Sequence, residues 1–222
     1  MAIRTLSYIF AAALAIVVGS AAGYQYRDLQ DARANLRNLA PSAIDIGFSQ
    51  AMYLHHRQAI AMAQLLLDGR PTGLTAQARA IAATQLVELG EMQGWLRLWN
   101  RPVTPANTDM SWMLLGTQPP NSRLNQYLLD CGRSPNGMLG MASLEELNTL
   151  RNSEGLARDT LFLQLMLSHH QGGLPMAEFA AEQASLPAVR TLAARITLDQ
   201  ATEIQQFQIM LAAITPQNAA AN

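Results

Sequence analysis

Two segments of this chain carry the same unusual string at a fixed separation, and that repetition constrains the fold more than any other feature. Met52-Tyr53-Leu54-His55-His56, with Met62 beyond it, recurs as Met166-Leu167-Ser168-His169-His170, with Met176 beyond it. Phe48 and Phe162 precede the two strings, so five matched positions are each displaced by 114 residues. Gln85 and Glu88 recur as Gln200 and Glu203, displaced by 115. A repeat of this length is a duplicated domain half, not a solenoid unit.

Each half reads as a pair of helices. Ser42-Ala43-Ile44-Asp45 is a capping box that starts a helix running to Leu67, where Asp68, Gly69 and Pro71 break it. A second helix spans Thr75 to Trp99 and ends at Asn100-Arg101-Pro102. Residues 103–141 hold scattered prolines and glycines and no sustained period, and read as a long connection with short helical turns. Ser143-Leu144-Glu145-Glu146 is a further capping box opening a short helix. A third long helix is expected from Leu156 to Ala184 and a fourth from Pro187 to Ile214, with Thr215-Pro216 as its stop. The expected organisation is an all-α four-helix bundle over 42–214. Its halves are 42–102 and 156–214, its connection is 103–155, and 215–222 form a disordered tail.

The inward stripes carry the chemistry. Phe48, Met52, His55, Ala59, Met62 and Leu66 alternate by four and three, the spacing that keeps side chains on one face of a packed helix. Phe162, Met166, His169, Gly173, Met176 and Ala180 repeat it. The other two helices offer Ile81, Gln85, Glu88, Met92, Trp95 and Trp99, then Ile196, Gln200, Glu203, Phe207, Met210 and Ile214. Each half thus sets one His, one Gln and one Glu on an otherwise apolar stripe. Burying them costs several kcal/mol unless they pair with one another or hold a cation.

All four histidines of the protein lie in these two pairs. His56 and His170 sit about 100° around the helix from their neighbours, which leaves them two readings: facing a Met one turn away, or exposed to capture metal first. A Met and a His three or four residues apart share one face, and imidazole with thioether suits copper, above all Cu(I), better than magnesium or calcium. Di-iron bundles need Glu-x-x-His on their core helices, and here Met52 and Met166 stand where that Glu would be. Met110, Met113, Met138 and Met141 form two further pairs, read as Cu(I) ligands or as flexible core filler. Pro175, inside the third helix, predicts a kink just after His170.

Composition removes several alternatives. The net charge is −1 and all 15 basic residues are arginine, which argues against non-specific nucleic-acid binding. A lone Cys131 excludes an intrachain disulfide and cysteine-rich zinc sites. No nucleophile–base arrangement or Gly-rich phosphate loop is present, so a non-enzymatic role is expected. Leu6 to Gly23 are almost wholly apolar and lie between Arg4 and Arg27. That run approaches the roughly 20 residues that span a bilayer, and Ser20-Ala21-Ala22 offers a peptidase site. Residues 1–27 are therefore a signal peptide or a membrane anchor, and the remainder is exported, either anchored facing outside or secreted or periplasmic.

Taken together, these motifs resemble the domain of unknown function 305 family, whose signature is a duplicated Met-x-x-His-His-x5-Met. Thr84 to Glu88, Asp199 to Glu203, Gly94-Trp95-Leu96 and Gly137 to Met141 also resemble its pattern, and the likeness covers about residues 42–214. It implies a ferritin-like helical bundle that is exported, and some relatives are described as periplasmic copper-binding proteins. The expectation is a copper-binding protein that sequesters the ion or hands it on to a metallochaperone or homo-oligomer partner. Met52, His55, His56, Met62, Met166, His169, His170 and Met176 are its expected ligands, with Gln85, Glu88, Gln200 and Glu203 orienting the rings. Two alternatives stand beside it: a metal-free bundle whose buried His–Gln–Glu network fixes helix register, and, with less support, a ferritin-like metal oxidase.

Overall fold

Ser42 opens the first long helix through a complete capping box: its side chain accepts from Asp45 N at 3.1 Å while Asp45 Oδ2 accepts from Ser42 N at 2.7 Å. In this computed structural model the backbone is described for residues 19–20, 23–31, 40–134 and 136–219, with side chains up to residue 214. The chain divides into two units, 1–40 and 41–222. In the first, residues 23–31 are helical, and Tyr24 and Tyr26 are exposed. Most of the apolar run from Leu6 to Gly23 lies outside the described residues. Among the described helices none is long and apolar enough to cross a membrane.

The second unit is all-α among its described residues: α1 Ala43–Leu66, α2 Thr75–Leu98, a 3-10 turn Ser111–Leu115, α3 Ser122–Arg133, α4 Leu144–Asn152, α5 Gly155–Gln183 and α6 Pro187–Ala219. Helix α2 ends as its sequence suggests, with Asn100 in the left-handed region at φ 53 and Arg101 N donating to Leu96 O. Helices α1 and α2 form one hairpin and α5 and α6 the other, and the two meet through α1 against α5. The outer helices α2 and α6 run antiparallel along one seam, since Gln77 meets Gln206 and Glu91 meets Arg195.

Two expectations are corrected. The connection contains a full helix, α3, capped by Asn121 accepting from Leu124 N at 2.8 Å. Its apolar residues Leu124, Tyr127, Leu128 and Cys131 repeat at three and four and pack on the core, a short stripe hidden between glycines and prolines. Helix α5 continues on both sides of Pro175, the residue from which a kink is expected, and the Tyr127 hydroxyl donates to Gly172 O at 2.9 Å, three residues before the proline. Helix α6 passes the expected stop at Thr215-Pro216 and stays helical to Ala219, because a proline forfeits one backbone bond without forbidding the next turn.

One repeated pair escaped the sequence reading although it keeps the same spacing of 114: Asp45 and Asp159. Each accepts a backbone N–H from the hairpin loop of the other half, Asp45 from Leu186 N at 3.0 Å and Asp159 from Gly73 N at 2.8 Å. Thr72 adds a 2.6 Å bond to Asp159. The fully buried Arg158 beside it binds Leu65 O and lies 2.9 Å from Asp68. These carboxylates lock the halves together at both ends of the α1–α5 contact.

Candidate metal centre

Every residue predicted on the α1 and α5 stripes is buried, most of them completely. In α2 and α6, Ile81, Gln85, Glu88, Met92, Ile196, Gln200 and Phe207 are buried, whereas Trp95, Trp99, Glu203, Met210 and Ile214 are only partly so. The apolar core falls into two clusters, one holding Phe48, Met52, Met92, Met176 and Ile196, the other Ala59, Met62, Ile81, Phe162, Met166 and Phe207. Between them in sequence, on every one of the four helices, stand the polar residues of the repeat.

At the middle of the α1–α5 contact the rings of His55 and His169 stack, with centroids 3.6 Å apart and planes inclined by 35°. Both are fully buried, and none of their four ring nitrogens has a hydrogen-bond partner. Burial holds both imidazoles well below their ordinary value, reinforced for His55 by His56 and His170 and for His169 by His55, His170 and His56, and only partly offset by a long backbone contact of each ring with the other histidine. The two rings are therefore neutral near pH 7. The stack needs Gly173: a Cβ there would lie 2.6 Å from His55 Cε1 and 3.1 Å from Gln200 Oε1. Its repeat partner, Ala59, already carries a methyl group.

His56 and His170 are fully buried as well, which removes the reading that they lie exposed as a first capture point. Each is held by the carboxylate expected to orient it: His56 Nε2 lies 2.8 Å from Glu88 Oε2, and His170 Nε2 lies 2.6 Å from Glu203 Oε2. The contact is possible because α2 and α6 bring their carboxylates to the flank of the helix that the second His faces. In each pair Nε2 is the nitrogen that the carboxylate engages, and Nδ1 is the one left over. Both Nδ1 atoms are buried without a partner. The Gln85 oxygen and both polar atoms of Gln200 are also buried without partners, so the glutamines do not orient the rings.

The methionines are shared out across the halves. Met52 lies in one apolar cluster with Met176, and Met62 in the other with Met166. Met110, Met113 and Met138 are buried in the first cluster, and Met141 packs partly buried against it together with the buried Cys131. Burial pushes the Cys131 thiol up, away from the thiolate form. Among the described residues, no three His, Cys, Asp or Glu side chains converge on one point. A cation held here would depend on imidazole nitrogens with thioether help.

The sequence profile of a domain of unknown function, DUF305, matches residues 45–211. The chain belongs to the DUF305 family. Solved structures agree. One described as "putative secreted protein DUF305" from Streptomyces coelicolor is 30% identical, covers 78% of this chain and 94% of its own, and superposes with a TM-score of 0.65. A DUF305 fragment from Deinococcus radiodurans is 24% identical over 78% of this chain and 98% of its own, with a TM-score of 0.59. CopM in its Cu(II)-bound form is 24% identical, covers 76% of this chain and 96% of its own, and has a TM-score of 0.56. No functionally curated protein matches the chain. The DUF305 match encloses both His pairs, both core glutamates and the connection between the halves.

Proposed function

We propose that this DUF305 protein binds copper in the polar layer of its core and sequesters it or hands it on, without catalysis. The observation that carries this reading is the His55–His169 stack: two fully buried neutral imidazoles whose four ring nitrogens make no close hydrogen bond. Leaving buried acceptors unmatched costs about 1–3 kcal/mol each, and a soft cation offers them the missing partner. His56 and His170 would add Nδ1 lone pairs, their rings fixed by Glu88 and Glu203. Met52, Met62, Met166 and Met176 would supply thioethers, an affinity order that favours Cu(I) over hard cations. CopM, a distant relative, has been seen with Cu(I) and Cu(II) bound, which supports copper over other soft ions. Export, with residues 1–27 as signal or anchor, fits the relative described as secreted and is part of the same reading.

A metal-free network is the second reading, favoured by the His56–Glu88 and His170–Glu203 pairs, which form without an ion. Anaerobic titration of the full-length protein with Cu(I) against a competing chelator separates the two. Copper binding predicts tight uptake that His55→Ala with His169→Ala lowers at least about a hundredfold, the upper scale for losing metal-site groups. Absence of uptake by the unaltered protein ends the copper reading. Oxygen consumption driven by added Fe(II) would overturn the non-enzymatic part.

A further inference from the structure

The two halves repeat their ligands but not their lids. On α6, Arg195, Asp199 and Glu203 are spaced by four and form one ridge beside α2. Arg195 reaches across the seam, its Nη2 2.6 Å from Glu91 Oε1 and its Nε 3.7 Å from Glu88 Oε1. Under that guanidinium the Glu88 side chain is only 4% exposed. The same duplication that relates Glu88 to Glu203 by 115 residues relates Ala80 to Arg195. Ala80, exposed on α2, has no reach, and the Glu203 side chain is left 19% exposed. Glu203 is thus the member of the polar layer that water touches most.

The surroundings of that opening select for positive charge. Asp199 is raised above the ordinary carboxyl value by partial burial and by Glu88 and Glu203, a sign that the carboxylates share one field. Along the seam Glu88, Glu91 and Asp199 face the guanidinium of Arg195, and Glu203 adds a further carboxylate to the field at Asp199. Immediately behind Glu203 stands the buried His170, and behind it His169, with ring centroids 6.1 Å apart and unpartnered nitrogens on both rings. Gln200, one residue from Asp199 and itself 3% exposed, also leaves both its polar atoms unpartnered.

We infer that copper ions load and leave through the Glu203 side of the layer, a port left open because Ala80 stands where the other half has the Arg195 latch. This rests on the copper reading above and adds to it a direction: His170 meets the ion before His56 does, and the two halves fill in order. The negative seam raises the local concentration of cations at its mouth, so the rate, more than the final affinity, depends on it.

The test is rapid anaerobic mixing of full-length protein with Cu(I) as its cationic acetonitrile complex, quenched at intervals with bicinchoninate whose colour reports the copper not yet taken up, and read where uptake depends on protein concentration. Ala80→Arg supplies the missing latch and is expected to slow uptake about tenfold or more, within the range of electrostatic control of association, while affinity at equilibrium moves less than about threefold. Arg195→Ala uncovers Glu88 and speeds uptake. Asp199→Asn, which adds no bulk, slows uptake and flattens its dependence on salt. If the unaltered protein takes up copper and all three variants load at its rate, the port is refuted while copper binding stands. If the unaltered protein takes up none, the copper reading itself fails, and the port with it.

Discussion

A stacked imidazole pair sealed from water stays together only while both rings are neutral, which makes His55 and His169 the acid-sensitive point of the molecule. In the unfolded chain each titrates near the ordinary value of 6.5; in the fold burial pushes both well below it. Above about pH 6.5 neither state takes up a proton on these groups, and their contribution is fully present. As pH falls below that value the unfolded chain binds protons that the folded chain refuses, and stability drops by up to about 1.4 kcal/mol per pH unit for each ring. Urea unfolding of the metal-free protein from pH 8 to pH 5 should therefore give a plateau and then a decline beginning near pH 6.5. A flat profile would mean that water or a counter-charge reaches the stack. The identity of the rings was legible from their place on an apolar stripe; their contact with each other was not. It depends on Gly173 and Ala59 setting how closely α1 and α5 approach, a property of the pair and of neither helix alone.

At the scale of elements, glycines with the same helical conformation have opposite roles. Gly172 lies where the 137–141 loop rests on α5: a Cβ would stand 2.0 Å from Leu139 O and 2.8 Å from Gly140 N, backbone atoms that cannot swing aside. Gly140 returns the fit, its own φ of +80 placing it against Ser168 O. Gly90, exposed in α2, has open space around it. Gly172→Ala is expected to destabilise by about 1–3 kcal/mol through overpacking, and Gly90→Ala to stabilise by up to about 1 kcal/mol through helix propensity. Paired urea melts check both signs, and equal effects would contradict the loop contact. The long helices were readable because their apolar period persists, with a capping box to mark the start of α1 and stop signals that hold for α1 and α2 but not for α6. Helix α3 was missed because its apolar stripe is only one short run set among prolines and glycines, and the Asp45–Asp159 clamp because its partners are mainly backbone atoms of loops, which leave no pattern in a sequence.

For the molecule as a whole, a polar layer between two apolar clusters means that binding and folding draw on the same interactions. The hairpins meet through His55 and His169, so an ion held there ties α1 to α5 and stabilises the native state by mass action, by about 2.7 kcal/mol at a free concentration one hundred times Kd. Thermal melts with and without Cu(I) should then differ by several degrees, and a chelator should reverse the shift; identical melts would place any bound copper on the surface. Membership of the family and the helical class followed from the duplicated string. The sorting of methionines did not, because it is set by the antiparallel meeting of the halves. Met52 shares its cluster with Met176, and Met62 shares the other with Met166. Neither hairpin on its own owns a finished set of donors. A single hairpin could complete the layer only by pairing with a twin, whereas two copies joined in one chain are free to differ, as arginine at 195 and alanine at 80 do.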